Sequence, residues 1–169
     1  MKDHSMTPQA QTLTRFYTAF AALDADGMAQ CYADAVQFDD AVFSLRGKAQ
    51  AAGMWRMLCE GTKAKGRDAW RLNFNGIAAD AQRGQAHWEA DYRFAATGRL
   101  VHNVVDAQFT FNEQGLITSH RDHFNFWSWS RQALGTPGLL LGWTPLLRNK
   151  VRALASTNLQ KFLAAKTPA

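Results

Sequence analysis

An α+β domain, with helices packed on one face of a curved sheet, is the fold class the sequence predicts. Three observations predict it. Apolar residues recur at helical spacing in three stretches that all precede residue 62. From Trp70 the period changes to two, the mark of half-buried antiparallel strands, and it stays so through four strand-like segments. Helical spacing then returns in a last segment opened by Thr144-Pro145. Helices grouped before strands describe segregated α+β architecture rather than alternating βαβ units.

The elements follow in order. Thr7-Pro8 supplies an N-cap and a first-turn proline, and Leu13, Phe16, Tyr17, Phe20 and Leu23 follow at helical spacing. Asp24-Ala25-Asp26-Gly27 breaks that helix, and Asp26 can cap a short second one carrying Met28, Cys31 and Tyr32. Val36 to Phe43 reads as a strand or extended arm. Gly47 precedes a third helix, in which Ala51, Trp55, Leu58 and Cys59 share a face and Gly61 closes it. Lys63 to Arg67 reads as a solvated basic loop. Trp70, Leu72 and Phe74 then alternate with polar residues. Further strands are predicted from Gln85 to Phe94, from the Thr97-Gly98 turn to Phe111, and from Leu116 to about Phe126. Ser128 to Leu134 reads as a short helix, and Gly135 to Gly138 as a loop. After Thr144-Pro145, the residues Leu147, Val151, Leu154, Asn158 and Phe162 outline an amphipathic last helix.

A chain of 169 residues fits one domain with a sizeable core, and 12% aromatic residues suit a large core or an aromatic-lined cavity. The net charge is +5, but the basic residues are scattered and no recognition motif accompanies them, so no nucleic-acid partner is expected. Cys31 and Cys59 form neither a metal-type pair nor a disulfide framework, and no metal is expected. Polar residues follow Met1 in place of an apolar signal core, and residues 1–6 read as disordered. Leu139-Leu140-Leu141 is the longest run of bulky aliphatic side chains, far too short to span a bilayer. No membrane partner is expected, and the cytoplasm is the default compartment.

Three stretches carry a resemblance. Cys31-Tyr32-Ala33-Asp34-Ala35-Val36-Gln37-Phe38-Asp39-Asp40, followed by Gly47, resembles a passage of ketosteroid isomerases and SnoaL-like polyketide cyclases. Thr97-Gly98-Arg99 opening a long strand is the second. Gly115-Leu116-Ile117-Thr118-Ser119-His120-Arg121-Asp122-His123-Phe124-Asn125 resembles a strand shared by those families and limonene epoxide hydrolase. Together they resemble the nuclear transport factor 2-like superfamily over about residues 7 to 130. The resemblance implies a cone: a curved mixed or antiparallel sheet wrapped around three N-terminal helices, with an internal pocket. Residues 131–169 then form a C-terminal extension with a lid-like loop, Gly138 to Trp143, and an extra helix. The resemblance also implies a homodimer that buries the outer sheet face.

The candidate catalytic residues are Asp122, His120 and Asp40. Asp40 occupies the position at which the resemblance places a proton-shuttling aspartate, with Asp39 as the adjacent alternative. Strand alternation puts Thr118, His120, Asp122 and Phe124 on one face, which the resemblance identifies as the pocket side. Candidate ligand contacts are Asn103, Asp91, Glu89, Phe124, Trp55 and Tyr17. The resemblance departs at several points. Glu89 stands where limonene epoxide hydrolase has an arginine, so that enzyme's relay is not expected. Phe16 and Ala107 stand where ketosteroid isomerases keep their oxyanion donors, so a plain steroid isomerase is not expected either. What remains is general acid/base chemistry on a small apolar carbonyl or epoxide substrate, without a cofactor. The alternative is a non-catalytic module of the same fold that binds a small molecule or dimerises.

Overall fold

A computed structural model describes residues 6–167, and the expectation of N-terminal disorder falls on residues outside it except for Met6. Helix α1 (Pro8–Ala21) starts where the Thr7 hydroxyl accepts the Ala10 N–H at 3.1 Å, and it buries Leu13, Phe16, Tyr17 and Phe20. Helix α2 (Ala25–Ala29) is capped by Asp24, which accepts the Gly27 N–H at 3.0 Å. The expected cap, Asp26, lies two residues later, inside the first turn, and pairs with Arg56 instead. Strands β1 (Tyr32–Asp39) and β2 (Ser44–Arg46) form a hairpin before helix α3 (Lys48–Lys65). Helix α3 runs through Gly61, whose exposed position asks for no side chain, and closes at Gly66, whose N–H bonds to the Thr62 carbonyl. A mid-helix glycine costs only about 1 kcal/mol, too little to end a helix packed over most of its length. The basic loop expected at residue 63 therefore begins as helix.

Strands β3 (Arg71–Ala79), β4 (Arg83–Arg93), β5 (Leu100–Phe111) and β6 (Ile117–His123) make an antiparallel meander. The full sheet runs β2-β1-β6-β5-β4-β3, with β1 and β6 its one parallel pair among the described residues. The sheet is thus mixed. A β-bulge interrupts the β5–β6 register, so that Thr110 bonds to both the Thr118 and Ser119 hydroxyls at 2.7 Å. The extra residue shifts the alternation. Ile117, not Thr118, joins His120 and Asp122 in the interior, correcting the face assigned from simple twofold spacing.

The main core joins α1 and α3 to the concave sheet face through Phe16, Tyr17, Tyr32, Phe38, Trp55, Trp88 and Phe109. A second cluster of Val101, Phe126, Trp129 and Ala133 packs with Ala41, Val42, Tyr92 and Phe94. It is built by helix α4 (Phe126–Leu134), whose Asn125 side chain caps the Ser128 N–H at 2.9 Å. Gly135, in the left-handed region at φ 71°, turns the chain directly into helix α5 (Thr136–Leu141). The segment expected to be a loop is therefore helical from Thr136 onward, with Pro137 in a first-turn position. Of the expected lid-like segment, Gly138 to Trp143, the first four residues belong to α5, which packs on α4 with Gly138 tight against the Ser130 carbonyl and with Leu139, Leu140 and Leu141 exposed.

Helix α6 (Pro145–Lys166) starts at the Thr144 cap and lies along α3, where Leu163 fills the space left by Gly53. Its inward seam is Leu147, Val151, Ala155 and Leu159. Leu154 and Asn158, assigned inward by spacing, face outward, one position off the seam. No described helix is long and apolar enough to cross a membrane.

Candidate acid–base site

The site is assembled from β1, α3 and β6. Tyr32 opens β1, Trp55 lies mid-way along α3, and His120 and Asp122 share the concave face of β6. Their polar atoms form one series. The Trp55 indole N–H donates to the Tyr32 hydroxyl at 2.8 Å. Tyr32 Oη lies 2.8 Å from His120 Nδ1, and His120 Nε2 lies 2.8 Å from Asp122 Oδ1. Only one proton arrangement satisfies every donor. An indole can only donate, so Tyr32 accepts there and donates its own O–H to Nδ1, and Nε2–H donates to Asp122. In that arrangement the His120 Nε2–H donates to one oxygen of the Asp122 carboxyl. The second oxygen of Asp122 has no protein partner among the described residues.

The surroundings are aromatic. The His120 imidazole is 1% exposed, with the rings of Phe109, Phe38, Phe16 and Trp55 at 4.4, 4.9, 5.4 and 6.0 Å. Where an internal pocket is expected, the space around His120 is packed with side chains. Two surface hollows of about 610 and 480 Å³ lie elsewhere, one beside α1 and α2, the other beside Arg99 and α5. Tyr17 Oη and Trp88 Nε1 are buried in the same interior without a hydrogen-bond partner among the described residues. Burial, chiefly, and then the charge of Asp122 push the Tyr17 phenol well above its usual value.

Asp40 follows β1 and settles the ambiguity with its neighbour. Asp39 points to the outer sheet face, where it meets Ser44 at 2.7 Å and Arg46 at 3.2 Å. Asp40 turns its carboxylate back onto its own loop, accepting the Val42 and Phe43 N–H groups at 2.7 and 2.6 Å. The residue is half-buried, but its carboxyl is well desolvated. Burial raises its pKa to about 6, against the lowering effect of those two backbone donors, and the Asp122 charge adds to the rise. Tyr92 donates nothing to Asp40 directly. Its hydroxyl accepts the Trp129 N–H at 2.8 Å, and burial, with a smaller push from Asp40, takes its pKa up to about 12.

The other sequence candidates separate. Asn103 is half-buried and in the inward phase of β5, paired with Ala90 across the sheet. Phe124 packs between the two apolar clusters. Trp55 touches the site through its N–H, and Tyr17 fills the core. Glu89 and Asp91 are on the opposite face of the sheet from His120, because Trp88 and Ala90 occupy the inward phase of β4. There they alternate with histidines: Asp106 and Glu89 flank His87 at 2.8 and 3.1 Å, and Glu89 and Asp91 flank His102 at 3.1 and 2.7 Å. Arg121 faces outward and Arg93 pairs with Asp68, so neither is the partner of Asp122. Sequence reasoning missed Tyr32 as a site residue. A tyrosine closing an apolar helical stripe carries one usable signal, a hydroxyl that needs a partner once buried. Among the described residues no group of three or more His, Cys, Asp or Glu is arranged to hold a metal ion.

The profile of the SnoaL-like domain matches residues 13–120, well over half of the chain. The chain belongs to the SnoaL-like domain family. Its fold is that of the nuclear transport factor 2-like cone. It is similar to an LEH-like epoxide hydrolase of M. tuberculosis, with 19% identity over 79% of this chain and 93% of that one, TM-score 0.61. A candidate polyketide cyclase of Xanthomonas campestris pv. campestris is 20% identical, covering 74% and 96%, TM-score 0.59. A protein of Catenulispora acidiphila with a ketosteroid isomerase-like fold, in complex with trimethylamine, is 14% identical, covering 80% and 98%, TM-score 0.60. No curated protein matches the sequence.

Proposed function

We propose that the chain is a cofactor-free isomerase, cyclase or hydrolase that acts by general acid/base catalysis on a small apolar carbonyl or epoxide substrate. The observation that carries this reading is the Trp55–Tyr32–His120–Asp122 series, which fixes the Asp122 carboxyl in an aromatic interior with one oxygen unengaged among the described residues. A base so placed is desolvated and oriented before substrate arrives. Asp40, raised by burial to about 6, supplies a second carboxyl whose proton exchanges closer to neutral pH, as a general acid or base requires. The Tyr17 and Trp88 donors are suited to a substrate oxygen.

The test is turnover of a panel of small epoxides and enones by the wild-type chain and by Asp122→Asn. Loss of roughly 10²–10⁴-fold in rate, with the fold retained, supports the reading; turnover unchanged by the substitution ends it. The packed interior favours a second reading, a non-catalytic module of the same fold that holds a small molecule or dimerises. In that case no substrate of the panel is turned over, and the chain sediments as a homodimer through the outer face that carries His87 and His102. Cytoplasmic residence and a boundary near residue 130 belong to the same proposal.

A further inference from the structure

No acidic residue follows Asp122, whereas Arg131, Arg148, Lys150, Arg152, Lys161 and Lys166 do, so the excess positive charge of the chain resides in its last segment. Lys166 is engaged by Glu60. Arg131 and Arg148 lie over the rings of Trp127 and Phe126, and none of Arg131, Arg148, Lys150 and Arg152 meets a carboxylate among the described residues. The same segment presents the exposed apolar side chains of Trp127, Leu139, Leu140, Leu141, Trp143 and Leu146, with Trp143 at 74% and Leu146 at 75% exposure. Clustered apolar exposure of this kind marks a contact surface.

We propose that the α5–α6 turn is a peripheral docking surface for an anionic lipid bilayer. The chemistry matches at both levels of a bilayer surface. Leucine and tryptophan side chains enter the boundary between headgroups and acyl chains, where tryptophan is favoured, and the arginines and lysines meet the lipid phosphates. A second copy of this chain fits less well, because a two-fold contact would oppose two basic sets with no carboxylate between them. Nucleic acid would satisfy the charges and leave the leucines in water. The absence of a spanning helix, on which the sequence expectation of no membrane partner rested, concerns insertion across a bilayer and does not bear on attachment to its surface.

The test is co-sedimentation of the whole chain with vesicles of equal parts phosphatidylcholine and phosphatidylglycerol, against vesicles of phosphatidylcholine alone. The chain pellets with the anionic vesicles at low salt, is released by added salt, and stays in solution with the neutral ones. Two sets of exposed substitutions separate the contributions. Lys150→Glu with Arg152→Glu lowers partition roughly tenfold or more, and Leu140→Ser with Trp143→Ser lowers it comparably. Failure of the folded wild-type chain to bind anionic vesicles at low salt overturns the proposal, as does binding indifferent to both pairs. A solution dimer that is lost in Leu140→Ser with Trp143→Ser also overturns it, and assigns the surface to a second copy.

Discussion

Tyr32 hydroxyl serves two buried neighbours at once, accepting from Trp55 and donating to His120. Tyr32→Phe keeps the ring and strands an indole N–H and an imidazole nitrogen, each costing about 1–3 kcal/mol when buried and unpaired. Urea denaturation of the variant is expected to show a loss of roughly 2–4 kcal/mol. Asp40 makes a different prediction. Burial holds its folded pKa at about 6, above the usual 3.8, so the folded chain keeps a proton that the unfolded chain has released. Its contribution to stability is therefore present at low pH and is lost as pH rises from about 4 to about 6. The ceiling on that change is about 3 kcal/mol. In Asp40→Asn this part of the pH dependence should vanish, while the Asn side-chain oxygen still accepts from Val42 and Phe43. A pH series of urea midpoints checks it; an unchanged slope places the shift elsewhere.

At the scale of elements, two close helix contacts depend on glycine and differ in how much they tolerate. A Cβ at Gly138 would stand 1.9 Å from the Ser130 backbone carbonyl, whereas one at Gly53 would meet the end of the Leu163 side chain. Backbone cannot rotate away and a leucine can. Gly138→Ala should lift α5 from α4, seen as faster amide exchange over residues 136–142, with the cone itself retained. Gly53→Ala should cost less, about 1 kcal/mol, because repacking is local and alanine favours helix. Legibility in the sequence follows the same division. Long periodic elements such as α1, and the change of period at Trp70, were readable because each buried face is spelled out locally. The bulge at Thr118, the cap at Asp24 and the helical start of α5 were not: the bulge depends on pairing with another strand, the cap on a choice between two aspartates two residues apart, and α5 on its packing against α4. His120 and Asp122 were legible as a pair on one face of a strand. Tyr32 and Trp55 became part of their site only once β1, α3 and β6 met, and Glu89 and Asp91 left it once the phase of β4 was known.

For the whole molecule, several titrations point the same way. His87 is held above its usual value by Asp106 first and Glu89 second, and His102 by Asp91 first and Glu89 after it. A raised histidine stabilises the fold fully below about pH 6.5, and that contribution is lost as pH climbs through the folded value. This adds to the Asp40 effect, which operates at lower pH. The opposite sign comes from Asp26, lowered by Arg56, and Asp80, lowered by the backbone N–H groups of Gln82 and Arg83. Those contributions are lost only as pH falls below about 4. Stability is therefore expected to peak at mildly acidic pH, and the urea midpoint at about pH 5 should exceed that at about pH 8. A midpoint that rises towards pH 8 would contradict this account of the two carboxylate–histidine rows.

The parallel pairing of β1 with β6 has a consequence in time. Tyr32 and His120 are 88 positions apart, and every other strand pair joins neighbours in the chain. The β3–β6 meander can form from contacts of short range, but the first strand must wait for the last, and closing so long a loop is slow. During synthesis the aromatic interior consequently stays open until the sixth strand has left the ribosome. The histidine that completes the hydrogen-bond series is also the residue whose arrival closes the cone.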